Sequence, residues 1–202
     1  MTGPAVSVIV IGYRMSKQLV RTLQTLAPAY QRGVSSGDYE VIVVENSSDD
    51  NLAPASIAEL PDNFHYFLRD EAGHSPVPAI NFAFSQCRGD SIGLIMDGAR
   101  MASPGIIRGA MDAMAITSSA IVVVPGYHLG EQEQHLHDSD AAALEQEQAL
   151  LDSIDWQAEG YELFTIATFS GANPNGYLQP IMECNCVFAS AASFREVGHA
   201  DP

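Results

Sequence analysis

Residues 41–50 read VIVVENSSDD, and they are the clearest indication of the fold class. Its first four residues, Val41–Val44, form a continuous β-branched run, which is typical of a strand buried on both faces of a sheet. The polar residues that follow end the strand. The same order of buried strand and polar cluster occurs twice more, at Val6–Ile11 with Gly12–Arg14 and at Ser91–Met96 with Asp97–Arg100.

Helical patterns separate these strands. Leu19, Leu23 and Leu26 recur at helical spacing after the first strand. A proline-led segment, Pro76–Cys87, precedes the strand at residue 91, and Ser103–Pro104 opens a further helix after it. Strands that alternate with helices predict an α/β domain with a mainly parallel sheet flanked by helices.

The polar clusters mark the expected site, because ligands of open α/β sheets bind outside the carboxyl ends of the strands. The clusters offer acceptors for a base or ribose, cations for phosphates and one carboxylate, an inventory that suits a nucleotide diphosphate. The candidate residues are Gly12, Tyr13, Arg14, Glu45, Asn46, Asp97 and Arg100. The alternative, that Asn, Ser and Asp at strand ends only form turns and caps, stays open for residues 47–50.

Composition excludes several classes of protein. The chain has 202 residues, 25 acidic against 9 basic side chains, a formal net charge of −16 and 47% hydrophobic residues. That apolar content is too high for a disordered chain, and the charge would repel a phosphate backbone, so we expect no nucleic-acid partner. No Gly-x-Gly-x-x-Gly or Gly-Lys-Ser/Thr motif follows the first strand, which argues against dinucleotide-binding dehydrogenases and P-loop nucleotidases.

The expected location is the cytoplasm. Three cysteines are too few for a disulfide framework, the apolar runs are strand-sized, and the first residues lack the pattern of a secretory signal. The sequence leaves open a peripheral position at the inner face of the membrane.

The negative charge is concentrated in the second half. Residues 1–108 carry 8 basic and 11 acidic side chains, whereas residues 109–202 carry 1 and 14. Residues 120–124 predict a further buried strand, and no convincing strand is expected between residues 126 and 160. We therefore expect a half at 1–125 that suits an anionic small molecule and a half at 126–202 that suits a neutral or cationic partner. Together they would form one continuous domain, in a chain that is either truncated or a short homologue.

At these clusters the sequence resembles family 2 glycosyltransferases of the GT-A fold, which is Rossmann-like. The family order is a strand with Pro-Thr-Tyr-Asn, a strand with Asp-Asp/Asn-Gly-Ser-x-Asp, a helix with Ala-x-Asn, and a strand with Asp-x-Asp before a Pro-Gly helix start. The matching segments here are Ile11–Arg14, Val41–Asp50, Ala79–Asn81, Asp97–Ala99 and Pro104–Gly105. A late Gly-Gly-Phe-Asp-Glu stretch is matched loosely by Val197–Asp201.

The resemblance implies a glycosyltransferase that moves a sugar from a nucleotide-diphosphate sugar to an acceptor hydroxyl, with inversion. The acceptor would be a saccharide, a lipid-linked molecule or a small molecule. In the family, Asp-x-Asp holds a divalent cation, Mg²⁺ or Mn²⁺, on the diphosphate. Asp97 is the metal candidate here, but Ala99 replaces the second carboxylate, and one carboxylate makes a poor site. We expect Arg100 to replace part of the ion's charge through bidentate hydrogen bonds.

The resemblance also implies a catalytic base, an Asp or Glu that deprotonates the acceptor hydroxyl. The candidates are Glu183 and Asp201. The resemblance makes residues 1–125 the donor-binding half and residues 126–202 the acceptor-side half. His128 and Trp156 are the acceptor-side candidates. A stacking face for a sugar ring could come from Tyr127, Trp156, Tyr161 and Tyr177, although such aromatic residues more often belong to the core.

Other functions stay open from sequence. A degenerate, non-catalytic nucleotide-sugar-binding domain is the main alternative. A nucleotidyltransferase is disfavoured, because no Gly-rich phosphate loop with basic residues follows Ile11. The acidic half could also form the interface of a homodimer.

Overall fold

The computed structural model describes residues 3–71, 75–117, 119–131, 139–171 and 185–201. The strands are β1 Val6–Gly12, β2 Tyr39–Asn46, β3 Phe64–Arg69, β4 Ser91–Ile95, β5 Val122–Val123, β6 Tyr127–Leu129, β7 Ala167–Phe169 and β8 Cys186–Ser190. The helices are α1 Ser16–Leu26, α2 Pro54–Ala58, α3 Val77–Gln86, α4 Ile106–Ile116, α5 Asp140–Asp152 and α6 Ala191–Glu196, with a 3₁₀ helix at Gly160–Thr165.

In the part of the chain that is described, six strands form one sheet in the order β3-β2-β1-β4-β8-β5. β1, β2, β3 and β4 pair in parallel, and β8 pairs antiparallel with β4. Every residue of β1 is buried. Because successive side chains of a strand point to opposite faces, both faces of the sheet are covered at β1. The predicted mainly parallel α/β fold is confirmed.

Helix α3 covers one face of the sheet. Its buried residues Ala79, Ile80, Ala83 and Phe84 share one core cluster with alternate residues of β1, β2 and β4. The apolar residues of α1, Leu19, Leu23 and Leu26, are also buried but lie outside that cluster. The helical spacing seen in the sequence therefore marks faces that pack inward.

Residues 186–202 rejoin the first compact unit, which also contains residues 1–122. Their strand, β8, lies against β4, with Gly93 opposite Phe188. A Cβ atom at position 93 would overlap the Phe188 ring, so glycine makes the close approach of this ring possible. The expected second half, residues 126–202, therefore does not coincide with one compact unit. Residues 186–202 belong to the first unit because β8 pairs with β4.

The second compact unit spans residues 123–185. It contains α5, the 3₁₀ helix and the antiparallel pair β6–β7. Strand β6 was not expected, and the expected strand at 120–124 is reduced to Val122–Val123. Ile121 is 68% exposed, so the apolar run there does not have the burial that its composition indicated.

No helix in the described ranges is both long and apolar enough to cross a membrane.

A buried carboxylate lies near the amino ends of the parallel strands. Glu40 of β2 is 1% exposed and accepts hydrogen bonds from the Ser7 hydroxyl at 2.6 Å and from the Arg88 backbone N–H at 2.8 Å. The Arg88 Nε–H also donates to it at 2.7 Å. Burial acts to raise the pKa of Glu40, but the hydrogen bonds from Ser7 and Arg88 outweigh burial and hold that pKa below its usual value.

The lowered pKa of Glu40 predicts acid sensitivity. A carboxyl group whose pKa is lower in the folded than in the unfolded chain stabilises the fold above its unfolded pKa of about 4.3. That stability is lost as the pH falls through the lower, folded value. Glu40→Gln is expected to reduce the free energy of unfolding by about 1–3 kcal/mol at pH 7, and by less below pH 4. Urea unfolding at both pH values measures the difference.

The matched control is Glu59→Gln, because Glu59 is exposed. Its free energy of unfolding should stay within about 0.5 kcal/mol of the native value. Equal stability of Glu40→Gln and the native chain at pH 7 would contradict the role given to this carboxylate.

Candidate active site

The carboxyl ends of the parallel strands open into a cleft of about 290 Å³ in the first unit. The strand register aligns these ends, with Gly12 opposite Glu45 and Asn46 opposite Arg69. The cleft is lined by Ile11, Tyr13, Met15, Asn46, Ser47, Glu71, Pro76, Met96 and Asp97. Three of the seven predicted donor-site residues, Tyr13, Asn46 and Asp97, are among them.

The turn after β1 is held to the loop after β2. Arg14 has a φ of +53°, in the left-handed region that side chains with a Cβ atom rarely adopt. Its Nε–H donates to Asp49 at 3.1 Å, and its guanidinium carbon lies 5.6 Å from the centre of the Tyr13 ring. The Arg14 side chain is 60% exposed. The structure thus presents a cation and an aromatic ring side by side.

Gly12, at the end of β1, lies close to the Leu19 side chain of α1. A Cβ atom at this position would lie 2.8 Å from Cδ2 of Leu19 on α1. Any larger residue would therefore require the buried Leu19 side chain to move. The glycine keeps the turn close to the helix, and it does not line the cleft.

Glu45 is completely buried, and its carboxylate is occupied by the protein itself. It accepts hydrogen bonds from the Leu52 backbone N–H at 3.1 and 3.2 Å and from the Tyr66 hydroxyl at 2.5 Å. Burial and the hydrogen bond to Glu45 both raise the pKa of Tyr66. In this structure Glu45 anchors the loop after β2, and it cannot contact a ligand without moving away from these donors.

Asn46 faces the cleft beside that anchored loop. Its backbone carbonyl accepts from Asn51 Nδ2 at 3.0 Å, while its own side-chain Oδ1 is buried with no hydrogen-bond partner in the part of the chain that is described. A buried polar atom without a partner is costly, typically by about 1–3 kcal/mol. The unpaired amide in the cleft wall is therefore available to a ligand.

Asp97 and Arg100 form an ion pair after β4. Asp97 Oδ2 lies 3.4 Å from Arg100 Nη2, and Asp97 Oδ1 accepts from the Ala99 backbone N–H at 3.1 Å. Both side chains are about one-third exposed, and the Arg100 Nε atom is buried with no partner among the described residues. Asp97 of this pair lines the cleft, and Arg100 has one guanidinium N–H without an acceptor among the described residues.

These residues do not fit a divalent cation. Asp97 is already paired with a guanidinium, and the neighbouring position that would supply a second carboxylate is Ala99. Among the described residues, no group of three or more His, Cys, Asp or Glu side chains is placed to hold a metal ion. Magnesium and manganese prefer several oxygen ligands, so Asp97 alone is an insufficient donor set.

The candidate bases lie late in the chain. Asp201 is exposed and follows Ala200, whose backbone is hydrogen-bonded to Asn81 of α3. Glu183 lies outside the described residues.

The second unit contains the acceptor-side candidates. Both ring nitrogens of His128 are buried and have no partner in the described part of the chain. Trp156 is 5% exposed, so its ring face is not offered to a ligand. Exposed aromatic rings occur instead at Tyr161 (48%) and Phe164 (45%), which stack with centroids 6.4 Å apart. The Tyr127 ring packs edge-on against Phe164 at 5.0 Å.

Glu71 is a cleft residue that the sequence analysis missed. It forms an ion pair with Arg69, whose guanidinium lies 4.1 Å from the Phe82 ring centre on α3. The signal that locates it is the same one used for the other strands, because Glu71 follows the end of β3 by two residues. Ser47, Met15, Pro76 and Met96 also line the cleft and were not predicted.

Tyr66→Phe is expected to loosen the loop after β2. The change leaves the buried Glu45 carboxylate with fewer donors, and a hydrogen bond to a charged group contributes about 1.5–3 kcal/mol. Thermal unfolding should show a loss of that size. Tyr13→Phe, on a 40% exposed ring, is the control and should change stability by less than about 0.5 kcal/mol. Unchanged stability of Tyr66→Phe would refute the anchoring role.

Comparisons with known proteins bear on the family and the fold of the chain. The sequence model of glycosyl transferase family 2 matches residues 7–173. None of the curated protein sequences matches the chain at a significant level.

Solved structures show the same fold. The crystal structure of S. aureus TarS 1-349 is similar with a TM-score of 0.50 and 23% identity, over 59% of this chain and 35% of that one. The same TarS fragment has been solved with UDP-GlcNAc and with UDP. The mannosyltransferase PcManGT from Pyrobaculum calidifontis, solved with GDP-Man and Mn²⁺, is similar with a TM-score of 0.59 and 15% identity. That match covers 98% of this chain and 48% of the other, so this chain spans a third to a half of the length of these relatives.

Proposed function

The chain belongs to glycosyl transferase family 2, and from this premise we propose that it transfers a sugar from a nucleotide-diphosphate sugar to an acceptor hydroxyl, with inversion. The observation that carries the proposal is the cleft at the carboxyl ends of β1, β2 and β4. Its lining includes an aromatic ring, an amide whose buried oxygen has no partner among the described residues, and a carboxylate that is paired with the guanidinium of Arg100. Those are the groups needed for a nucleoside, a diphosphate and a sugar.

In this proposal the nucleoside lies between the turn after β1 and the loop after β2. Tyr13 offers a ring face for the base, and the Asn46 amide offers the hydrogen-bonding atom that the protein leaves unpaired. Gly12 and Glu45 act as positioning residues, because Gly12 leaves room for the Leu19 side chain of α1 and Glu45 holds the loop that follows Asn46.

Two arginines meet the diphosphate. Arg100 stands beside Asp97 with an unpaired Nε–H, and Arg14 is mostly exposed at the end of β1. A guanidinium can bind phosphate oxygens through two parallel hydrogen bonds, which a point charge cannot do. We assign Arg100 the charge neutralisation that a metal ion provides in other transferases, and Asp97 the role of orienting that guanidinium.

The mannosyltransferase with Mn²⁺ does not decide the metal question for this chain. At 15% identity the similarity shows the fold alone. Among the described residues the cleft has two carboxylates, Asp97 paired with Arg100 and Glu71 paired with Arg69, and this pairing supports a transferase in which a cation has at most a secondary role.

Inversion requires one displacement and a base. The acceptor oxygen attacks the anomeric carbon from the face opposite the diphosphate, which leaves with the electrons of the broken C–O bond. A carboxylate takes the hydroxyl proton as the new bond forms. Asp201 is the described candidate for that base, and Glu183 is the other residue that the sequence offers.

The first unit binds the donor in this proposal, and the second takes the acceptor. Residues 123–185 carry no Lys or Arg and 11 Asp and Glu side chains, so an anionic acceptor is disfavoured. The exposed Tyr161 and Phe164 rings are better placed than the buried Trp156 to stack on a sugar. The unpaired ring nitrogens of His128 could accept or donate one hydroxyl hydrogen bond.

The second candidate function is a domain that binds nucleotide sugars without transferring them. Ala99 in place of the second Asp of Asp-x-Asp is the observation in its favour. It would bind the same donors but release no free nucleotide diphosphate. A homodimer through the acidic unit stays a prediction, and salt-dependent self-association in sedimentation would support it.

Donor binding is tested first by thermal unfolding with UDP, GDP, UDP-GlcNAc and GDP-mannose, each with Mn²⁺ or with EDTA. A ligand at about 100 times its Kd should add about 2.7 kcal/mol of stability. Arg100→Ala and Asp97→Asn are expected to lose most of that shift. Arg108→Ala is the matched control, because Arg108 pairs with Asp112 on exposed α4 and should keep it.

Two results would count against the donor site. A shift that appears only with Mn²⁺ would overturn the role given to Arg100. The absence of a shift with all four nucleotides, in a chain that is folded, would overturn the proposed function.

Acceptor binding is tested by the aromatic rings. With a panel of neutral oligosaccharides as acceptors, Tyr161→Ala and Phe164→Ala should raise the acceptor KM roughly tenfold, in line with about 1–2 kcal/mol for a stacked ring. The donor KM should not change. Ile116→Ala, an 85% exposed apolar residue of the first unit, is the control. An unchanged acceptor KM would exclude these rings from the acceptor site.

A further inference from the structure

One amide side chain ties the end of the described chain to helix α3. Asn81 Nδ2 donates to the Ala200 carbonyl at 3.0 Å, and the Ala200 N–H donates to Asn81 Oδ1 at 3.1 Å. The two residues are 119 positions apart. The loose match to the late family stretch is thus hydrogen-bonded to the Ala-x-Asn match.

The chain around this contact is tightly built. Gly198 and His199 both lie in the left-handed region, with φ of +82° and +65°. The His199 N–H donates to the Phe194 carbonyl at 2.9 Å, and the His199 ring stacks on Phe84 of α3 with centroids 4.8 Å apart. A residue with a Cβ atom persists at such a φ only when its surroundings fix it.

The cleft is lined at the start of this helix by Pro76, which precedes α3 by one residue, and Asn81 lies five residues further along the chain. At 1.5 Å per residue this is about 7.5 Å along the helix axis. Asp201 directly follows the residue that Asn81 holds. The contact therefore ties the backbone next to Asp201 to the helix that begins after Pro76.

We propose that Asn81 is a positioning residue for catalysis. Its side-chain amide holds the C=O and N–H groups of Ala200 and thereby fixes the position of the backbone that carries the Asp201 carboxylate. The inference rests on the proposed function, in which Asp201 takes the acceptor proton as the anomeric carbon–oxygen bond forms and the diphosphate leaves. Asparagine suits this task because it carries one donor and one acceptor side by side, matching the C=O and N–H of one residue.

Substitutions separate the amide chemistry from size. Asn81→Asp keeps the shape but replaces the donor with a second acceptor, which would face the Ala200 carbonyl. Asn81→Ala removes both bonds. The control is Asn63→Ala, because the Asn63 amide likewise donates to a distant backbone carbonyl, that of Tyr39 at 3.1 Å, and Asn63 is buried whereas Asn81 is partly buried. It should lower stability without affecting Asp201.

The experiment uses the full chain and two readouts. Hydrolysis of UDP-GlcNAc or GDP-mannose, whichever stabilises the chain, gives kcat and the donor KM. Amide hydrogen exchange gives the protection of the Ala200 N–H. Both Asn81 variants are expected to lower kcat 10- to 100-fold with donor KM within threefold, and to speed Ala200 exchange at least tenfold. Asn63→Ala should keep native kcat and native Ala200 protection.

The outcomes separate this inference from the function on which it rests. If the Asn81 variants keep native protection of the Ala200 N–H or native kcat, the inference is wrong. If Asp201→Asn is inactive at the same time, the proposed function still stands. Full kcat in Asp201→Asn would overturn both the base assignment and the positioning role. A native chain that binds donors but releases no nucleotide diphosphate, either with water or with the neutral oligosaccharide acceptors, would overturn the transferase function, and the positioning role with it.

Discussion

Strand β1 is hydrogen-bonded in parallel on both sides, by β2 and by β4, and the site depends on that arrangement. Parallel pairing brings the carboxyl ends of all three strands to one edge of the sheet. Each chain segment that leaves a strand must then turn at the same edge before it enters the next helix or loop. Tyr13, Asn46 and Asp97 meet in one cleft for that reason, although they are distant in sequence.

The polar groups at this edge are arranged by other residues that never reach the cleft. Glu45 is buried and accepts hydrogen bonds from Leu52 and Tyr66. It thereby fixes the loop that follows Asn46, the last residue of β2. Asp49 fixes the turn that carries Arg14. Asp97 holds Arg100 at 3.4 Å, so a ligand anion would compete with a carboxylate for the same guanidinium. The opposite charges of Asp97 and Arg100 therefore balance before a ligand binds. This pairing lowers the free-energy cost of having a charged group at the cleft without a ligand.

Sequence reasoning predicted the first half well because its signals are local. The β-branched runs at Val6–Ile11 and Val41–Val44 became β1 and β2, and the rule about carboxyl ends located three of the cleft residues. The inward orientation of Glu45 could not be predicted, because a strand buried on both faces has no polar alternation to show which way a carboxylate points.

The late part of the chain was harder for a different reason. The pairing of β8 with β4 depends on the Phe188 ring filling the space beside Gly93, a fit between residues far apart in sequence. The three-residue strands β6 and β7 are too short to produce a periodic pattern. The bond between Asn81 and Ala200 likewise has no local signature, although both residues lie in segments that the family resemblance had marked.

The neighbouring positions of β5 and β8 in the sheet have a consequence for how this protein can vary. Residues 123–185 leave from one of these strands and return at the other, so in topology they are an insertion between adjacent strands. The free-energy cost of closing the chain between two adjacent strands grows slowly, by about 0.6 kcal/mol for each doubling of the length of the connecting segment. The inserted segment can therefore lengthen, shorten or be exchanged for another while the donor cleft keeps its geometry, which makes it a natural place for relatives to diverge in the molecules they modify.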